Sequence, residues 1–228
     1  MFLISFLAGA FGEFYVPTKL IVVGNAAATV SNILDHEILF RLGFAGYLLE
    51  ALCDVGLALV LYVLLKPVDR NLALLSAFLG LVSTALFAVC EMFFFCAPLL
   101  VKNPVFAQSF TKGQLDALFY FLVRVYATGA GLFMVFYGFA SLIRGYLIYR
   151  SGYLPRFIGL LSALVGVVFV VKNFTLVLAP AYSPDLLLIP APITVLVLSV
   201  WFLSKGVDVV KWNERVASMR AVNPSMVL

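Results

Sequence analysis

Five long apolar stretches constrain this chain more than any other feature. They run from Leu42 to Leu65, Leu72 to Pro98, Ala117 to Ile143, Phe157 to Ala179 and Leu186 to Ser204. A helix rises about 1.5 Å per residue, so about 20 apolar residues cross a hydrocarbon core of about 30 Å. A spanning segment in lipid must also satisfy every backbone N–H and C=O internally, and a helix does this within itself. A sixth stretch, Phe2 to Val16, covers only about 22 Å at the same rise and reads as a first span cut short at its start. A cleaved signal, suggested by Ala8-Gly9-Ala10, would need a basic residue ahead of the apolar run, and there is none.

Composition removes the main alternatives. Of 228 residues 64% are hydrophobic and 11% charged, with a mean hydropathy of +1.12, which excludes a water-soluble domain and a disordered chain. Fifteen Lys and Arg are too few for a nucleic-acid binder. Cys53, Cys90 and Cys96 all lie in apolar stretches, at spacings that suit neither a disulfide framework nor zinc. The expected fold is therefore all-α: a polytopic transmembrane bundle of about six spans over residues 1–204, with a tail over 205–228.

The connections carry the orientation, because cytoplasmic loops hold the excess of Lys and Arg. Lys66 and Arg70 lie between spans two and three, Arg144, Arg150 and Arg156 between four and five, and Lys205, Lys211, Arg215 and Arg220 after span six; the other side has Lys19, Arg41, Lys102 and Lys112. Both termini are expected in the cytoplasm, with the 17–41 and 99–116 loops outside. Two segments read as amphipathic. Asn25 is placed to cap an outer helix over about 25–40, with Val30, Ile33 and Leu34 on one face and Asp35, His36 and Glu37 in water. In the tail, Val209, Trp212, Val216 and Met219 alternate with Lys211, Arg215 and Arg220, a pattern suited to lying on an anionic leaflet. Leu74-Leu75-Ser76-Ala77 with Gly80 recurs as Leu160-Leu161-Ser162-Ala163 with Gly166, a weak sign of a duplicated hairpin.

Ionisable residues within spans cost about 2.5 to 3.5 kcal/mol each to insert and point to function by default. Counted from the outer end of each span, Glu50, Glu91, Arg124 and Lys172 all lie about 10 to 12 Å deep, with Glu13 shallower and Asp54 one turn deeper. Glu91 continues a small-residue ridge of Ala73, Ala77, Gly80, Thr84 and Ala88, Glu50 and Asp54 share a face that Tyr47 extends, and Asn173 follows Lys172. Arg124 shares a polar stripe with Thr128, Gly131 and Gly138. These residues are expected to line an outward-facing pocket, with Glu13 and Tyr47 at its periphery. Four acids against two bases leave surplus negative charge, so a proton or a cation must complete the site. The same charges would serve as structural pairs fixing helix register. Pro190 and Pro192 free backbone carbonyls near Leu186 and Leu188, either as a broken helix beside the pocket or as a kink.

No catalytic residue, metal site or cofactor is assigned. His36 is the one histidine, and Asp35-His36-Glu37 points its side chains to different faces. Neither a P-loop nor a Gly-x-Ser-x-Gly turn occurs. An enzyme is the less favoured class, and would act on a lipid through carboxylates alone.

Several strings resemble a prokaryotic membrane family, domain of unknown function 4386. They include Lys19-Leu20-Ile21-Val22, Ala26-Ala27-Ala28-Thr29, Asn32-Ile33-Leu34 and Leu39 to Phe44, then Leu52-Cys53-Asp54-Val55 with Leu61 to Val68, and Gly145 to Ile148 with Arg150 to Arg156. The resemblance covers roughly residues 5 to 206. It implies a helical protein of six or so spans in the prokaryotic cytoplasmic membrane, and no particular chemistry. The expected function is binding or translocation of a small polar solute or cation, with proton coupling. The alternative is an accessory subunit or scaffold whose intramembrane charges meet a membrane partner or a second copy.

Overall fold

The computed structural model describes the backbone of residues 1–182 and 188–222. Its regular elements are all helical. An initial run comprises α1 (Phe2–Gly9), a π-helical segment (Ala10–Tyr15) and α2 (Val16–Leu20), followed by α3 (Ala26–Asp35), α4 (Glu37–Leu65), α5 (Arg70–Lys102), α6 (Pro104–Ser109), α7 (Lys112–Ser151), α8 (Arg156–Leu178), α9 (Pro190–Ser204) and α10 (Val209–Val222).

Helices α4, α5, α7 and α8 are long and apolar enough to cross a membrane, and α9 with α10 gives a fifth if that bent pair counts as one span. Their apolar side chains point outward, as with Leu52, Leu59, Phe78 and Phe121, which suits lipid as the solvent. Six spans were expected; length and composition support four to five. The run from Phe2 to Leu20 rises roughly 27 Å but changes helical type midway. Pro98 lies inside α5 and does not end it: the helix continues to Lys102. Pro190 opens α9, at the position where a missing N–H leaves no bond unmade, so it starts this helix and does not kink it. The expected start of span six at Leu186 lies outside the described residues.

The described chain divides into two compact units. In the unit formed by Met1–Leu3, Asp54–Ser83 and Met134–Leu228, α7 and α8 form a hairpin closed by two glycine pairs. A Cβ on Gly145 would sit 2.6 Å from Gly159 O, and one on Gly166 2.7 Å from Gly138 O. Only glycine permits backbones this close. Ser141 Oγ donates to Ser162 O at 2.9 Å between these crossings. A core of Leu65, Ala73, Leu147, Ile148, Tyr153, Leu154 and Ile158 closes one end.

The other unit comprises Ile4–Cys53 and Thr84–Phe133. Asn25 Oδ1 accepts from Ala28 N–H at 3.0 Å and caps α3, while Thr29 Oγ1 accepts from Val22 N–H at 3.0 Å. Val30 and Ile33 of α3 join Val16, Leu20, Phe40, Phe94, Ala97, Phe119, Val123 and Tyr126 in an aromatic-rich core. Glu37, at the start of α4, pairs with Arg41 at 2.7 Å and with Lys102.

Candidate functional site

The second unit gathers ionisable groups from four helical segments. Glycines set how close those segments come. A Cβ on Gly12 would lie 2.6 Å from Gly43 O, and one on Gly9 2.5 Å from Glu50 Oε1. The initial helix therefore rests on the first half of α4, and the Glu50 carboxyl lies directly over its backbone. The π-helical segment Ala10–Tyr15 falls at this crossing and carries Glu13. Single π turns inside α-helices recur at functional sites, because the wider turn re-aims a side chain.

Glu13 faces Glu91 of α5, and the two carboxyls lie within hydrogen-bond reach of each other. Tyr126 of α7 donates its hydroxyl to Glu13 Oε2 at 3.2 Å. Glu13 Oε1 and Glu91 Oε1 are shut off from solvent and have no hydrogen-bond partner among the described residues. An ionised carboxylate only accepts, so a bond between two carboxyls requires a proton carried by one of them. Glu50 is near enough to act on Glu91 electrostatically, and Tyr47 feels all three glutamates.

Aromatic rings enclose the group. Tyr47 meets Phe87 edge-on at 4.8 Å and Phe94 stacks on Tyr126 at 4.8 Å. Beside Glu91 lies a cavity of about 10 Å³ lined by Gly12, Val16, Phe40, Gly43, Phe44 and Phe94, room for about one water molecule. Among the described residues, no three His, Cys, Asp or Glu side chains are arranged to hold a metal ion.

The expected site residues distribute unevenly. Glu13, Glu50, Glu91 and Tyr47 come together in this unit. Arg124 belongs to the same unit but is exposed on α7, as is Thr128; the buried stripe of α7 is Phe119, Val123, Tyr126 and Phe133. Asp54, Lys172 and Asn173 belong to the other unit. There Asp54 is half-buried, Lys172 is buried, and Asn173 is buried and donates to Phe169 O at 2.8 Å. Sequence reasoning did not place Tyr126 at the site. Its signal is the spacing of 119, 123, 126 and 133, which returns to one helix face.

Asp116 is a second buried acid that went unnoticed. It lies at the fifth residue of α7, just past the first turn.

Apolar outward faces and four to five helices long enough to span define a multi-span helical membrane protein. Residues 1–206 match the family described as domain of unknown function (DUF4386), and the chain belongs to that family. It is also similar to an uncharacterised protein of Archaeoglobus fulgidus, 27% identical over 116 residues, which are 51% of this chain and 56% of that relative. The match thus spans little more than half of the relative's length. No solved structure matches the chain.

Proposed function

We propose that this membrane protein binds and releases a proton at the Glu13–Glu91 pair and uses that change to bind or pass a small polar solute or cation. The observation that carries the reading is two enclosed carboxyls in hydrogen-bond reach, with Tyr126 as donor to one of them. Holding the proton leaves one negative charge on the pair; losing it leaves two, side by side and poorly solvated. A proton and a monovalent cation relieve the same excess charge, so the arrival of one displaces the other. The cavity beside Glu91 supplies a place for a single bridging water.

The test is thermal melting of the purified protein across pH, with and without a panel of monovalent cations and small polar solutes. Wild type is expected to lose stability as pH rises and to regain it with a cation or solute. Glu13→Gln and Glu91→Gln are each expected to flatten both responses, since an amide keeps a donor between the helices without a titrating proton. Unchanged pH curves in both variants would overturn the proposal.

A second reading rests on the contact between Gly12 and Gly43: the carboxyl pair serves as a fastening between tightly packed helices of a scaffold subunit. On that reading the Gln variants keep wild-type melting, and no solute or cation alters it.

A further inference from the structure

An open groove lies far along the chain from the carboxyl pair, where α9 ends. The backbone turns through 96° between Pro190–Ser204 and Val209–Met219. Gly206 makes the turn, at φ +65°, a conformation other residues adopt only with strain, and its N–H donates to Trp201 O at 3.0 Å. If α9 follows the membrane normal, α10 runs along the membrane plane. The elbow is held rigidly. Asp208 N–H donates to Tyr153 O at 3.2 Å, Tyr153 donates its hydroxyl to Leu64 O at 2.6 Å, and Trp212 Nε1 donates to the same carbonyl at 3.3 Å.

Inside this elbow lies a groove of about 340 Å³, lined by Gly152 to Pro155, Trp201, Lys205 to Asp208, and Lys211. Its charge is net positive: Lys205 and Lys211 stand on its wall against Asp208, which pairs with Lys211 at 3.2 Å, and Arg215 of α10 acts on Tyr153 beneath. Next to these lining residues in the chain, Leu203, Val209 and Val210 are 73%, 63% and 68% exposed. Basic groups close in the chain to exposed aliphatic side chains, at the end of an apolar helix, match a phospholipid in two parts: Lys for the phosphate, and the aliphatic side chains for the first carbons of the acyl chains.

We infer that the α9–α10 elbow is a binding site for an anionic phospholipid, with Lys205 and Lys211 holding the headgroup phosphate and Trp201 packed against the glycerol backbone. This inference is independent of the proton site and goes beyond it.

Both tryptophans of the chain, Trp201 and Trp212, lie at this elbow, so tryptophan fluorescence, excited selectively over the ten tyrosines, reads it alone. The protein is reconstituted into phosphatidylcholine vesicles carrying a small, equal mole fraction of brominated phosphatidylglycerol or brominated phosphatidylcholine. Brominated phosphatidylglycerol is expected to quench more strongly and with saturation. Lys205→Gln with Lys211→Gln is expected to lower its apparent affinity at least tenfold, since each basic residue near a membrane surface is worth roughly fivefold, while melting stays at the wild-type temperature. Equal quenching by the two lipids, or a preference that survives in the double variant, would overturn the inference. Soluble glycerol phosphate distinguishes a lipid from a free phosphate: it is expected to leave quenching unchanged, and full competition at millimolar concentration would contradict a lipid site.

Discussion

Around Glu13 and Glu91, acidic groups are sealed by aromatic rings and by helix backbones in contact, whereas at the α9–α10 elbow basic groups stand along an open groove. The contrast lies in what each arrangement can exchange with its surroundings. A sealed pair with one water-sized cavity can change by a proton or a small ion. An open groove at the end of a span can admit a headgroup. Glu37 sharpens the point within the carboxyl unit: it meets Arg41 and Lys102 at the exposed start of α4, while Glu13 meets another acid and a tyrosine.

The largest expected effects come from forcing the glycine crossings apart, one in each unit. Gly145→Leu forces a side chain onto Ala163 N and Gly159 O, and Gly12→Leu forces one onto Gly43 O. Each is expected to cost about 3 kcal/mol, the upper end for overpacking, measured as loss of monodisperse protein and of melting temperature. Gly113→Ala, where a Cβ would meet nothing within 4 Å, is expected to leave both unchanged.

Next is the carboxyl pair itself. Glu91→Gln is expected to remove the alkaline loss of stability, a change of about 1 kcal/mol or roughly 2 to 4 °C at high pH. Tyr126→Phe deletes a neutral hydrogen bond worth about 1 kcal/mol and is expected to lower melting at all pH values while keeping its slope. A slope abolished by Tyr126→Phe would move the titrating group away from the carboxyls.

The smallest effect belongs to the elbow. Asp208 accepts from Lys211 N–H at 3.2 Å, and this bond, with the nearby Lys211 ammonium, holds its carboxyl below the usual carboxylate range. A group lowered in the folded state stabilises it above its ordinary pKa and loses that contribution as pH falls through the lowered value. Hydrogen exchange in the first turn of α10 is therefore expected to quicken slightly in acid, and Asp208→Asn to remove the pH dependence. An unchanged exchange profile in Asp208→Asn would show that the cap does not hold the turn.

Apolar length made the helices legible, and the Asn25 cap is visible as a residue type before an amphipathic run. Which face of each helix turns inward was harder to read. On α5 the small ridge from Ala73 to Ala88 pointed to one side, whereas the buried residues are Ala73, Ser76, Ser83, Phe87, Cys90, Glu91, Phe94 and Ala97. Large rings and small residues both pack inward here, so residue size alone could not choose the face. Polarity misled on α7 for a related reason. Arg124 stands on an exposed face of α7, as a long side chain that can carry its charge away from the core does, while Tyr126, apolar except at its tip, turns in to bond Glu13. Gly138 and Gly145, seven apart, oppose Gly159 and Gly166, also seven apart; that pattern was present in the sequence and shows its meaning only once the two helices are paired.

The most direct test of the central claim is infrared difference spectroscopy of the protein in lipid on stepping the pH upward. The account requires one protonated carboxyl at low pH whose carbonyl band disappears as the pH rises, and whose band is lost or displaced in both Glu13→Gln and Glu91→Gln. A wild-type spectrum with no protonated carboxyl band at any pH, or a band untouched by either substitution, would contradict a proton shared between Glu13 and Glu91.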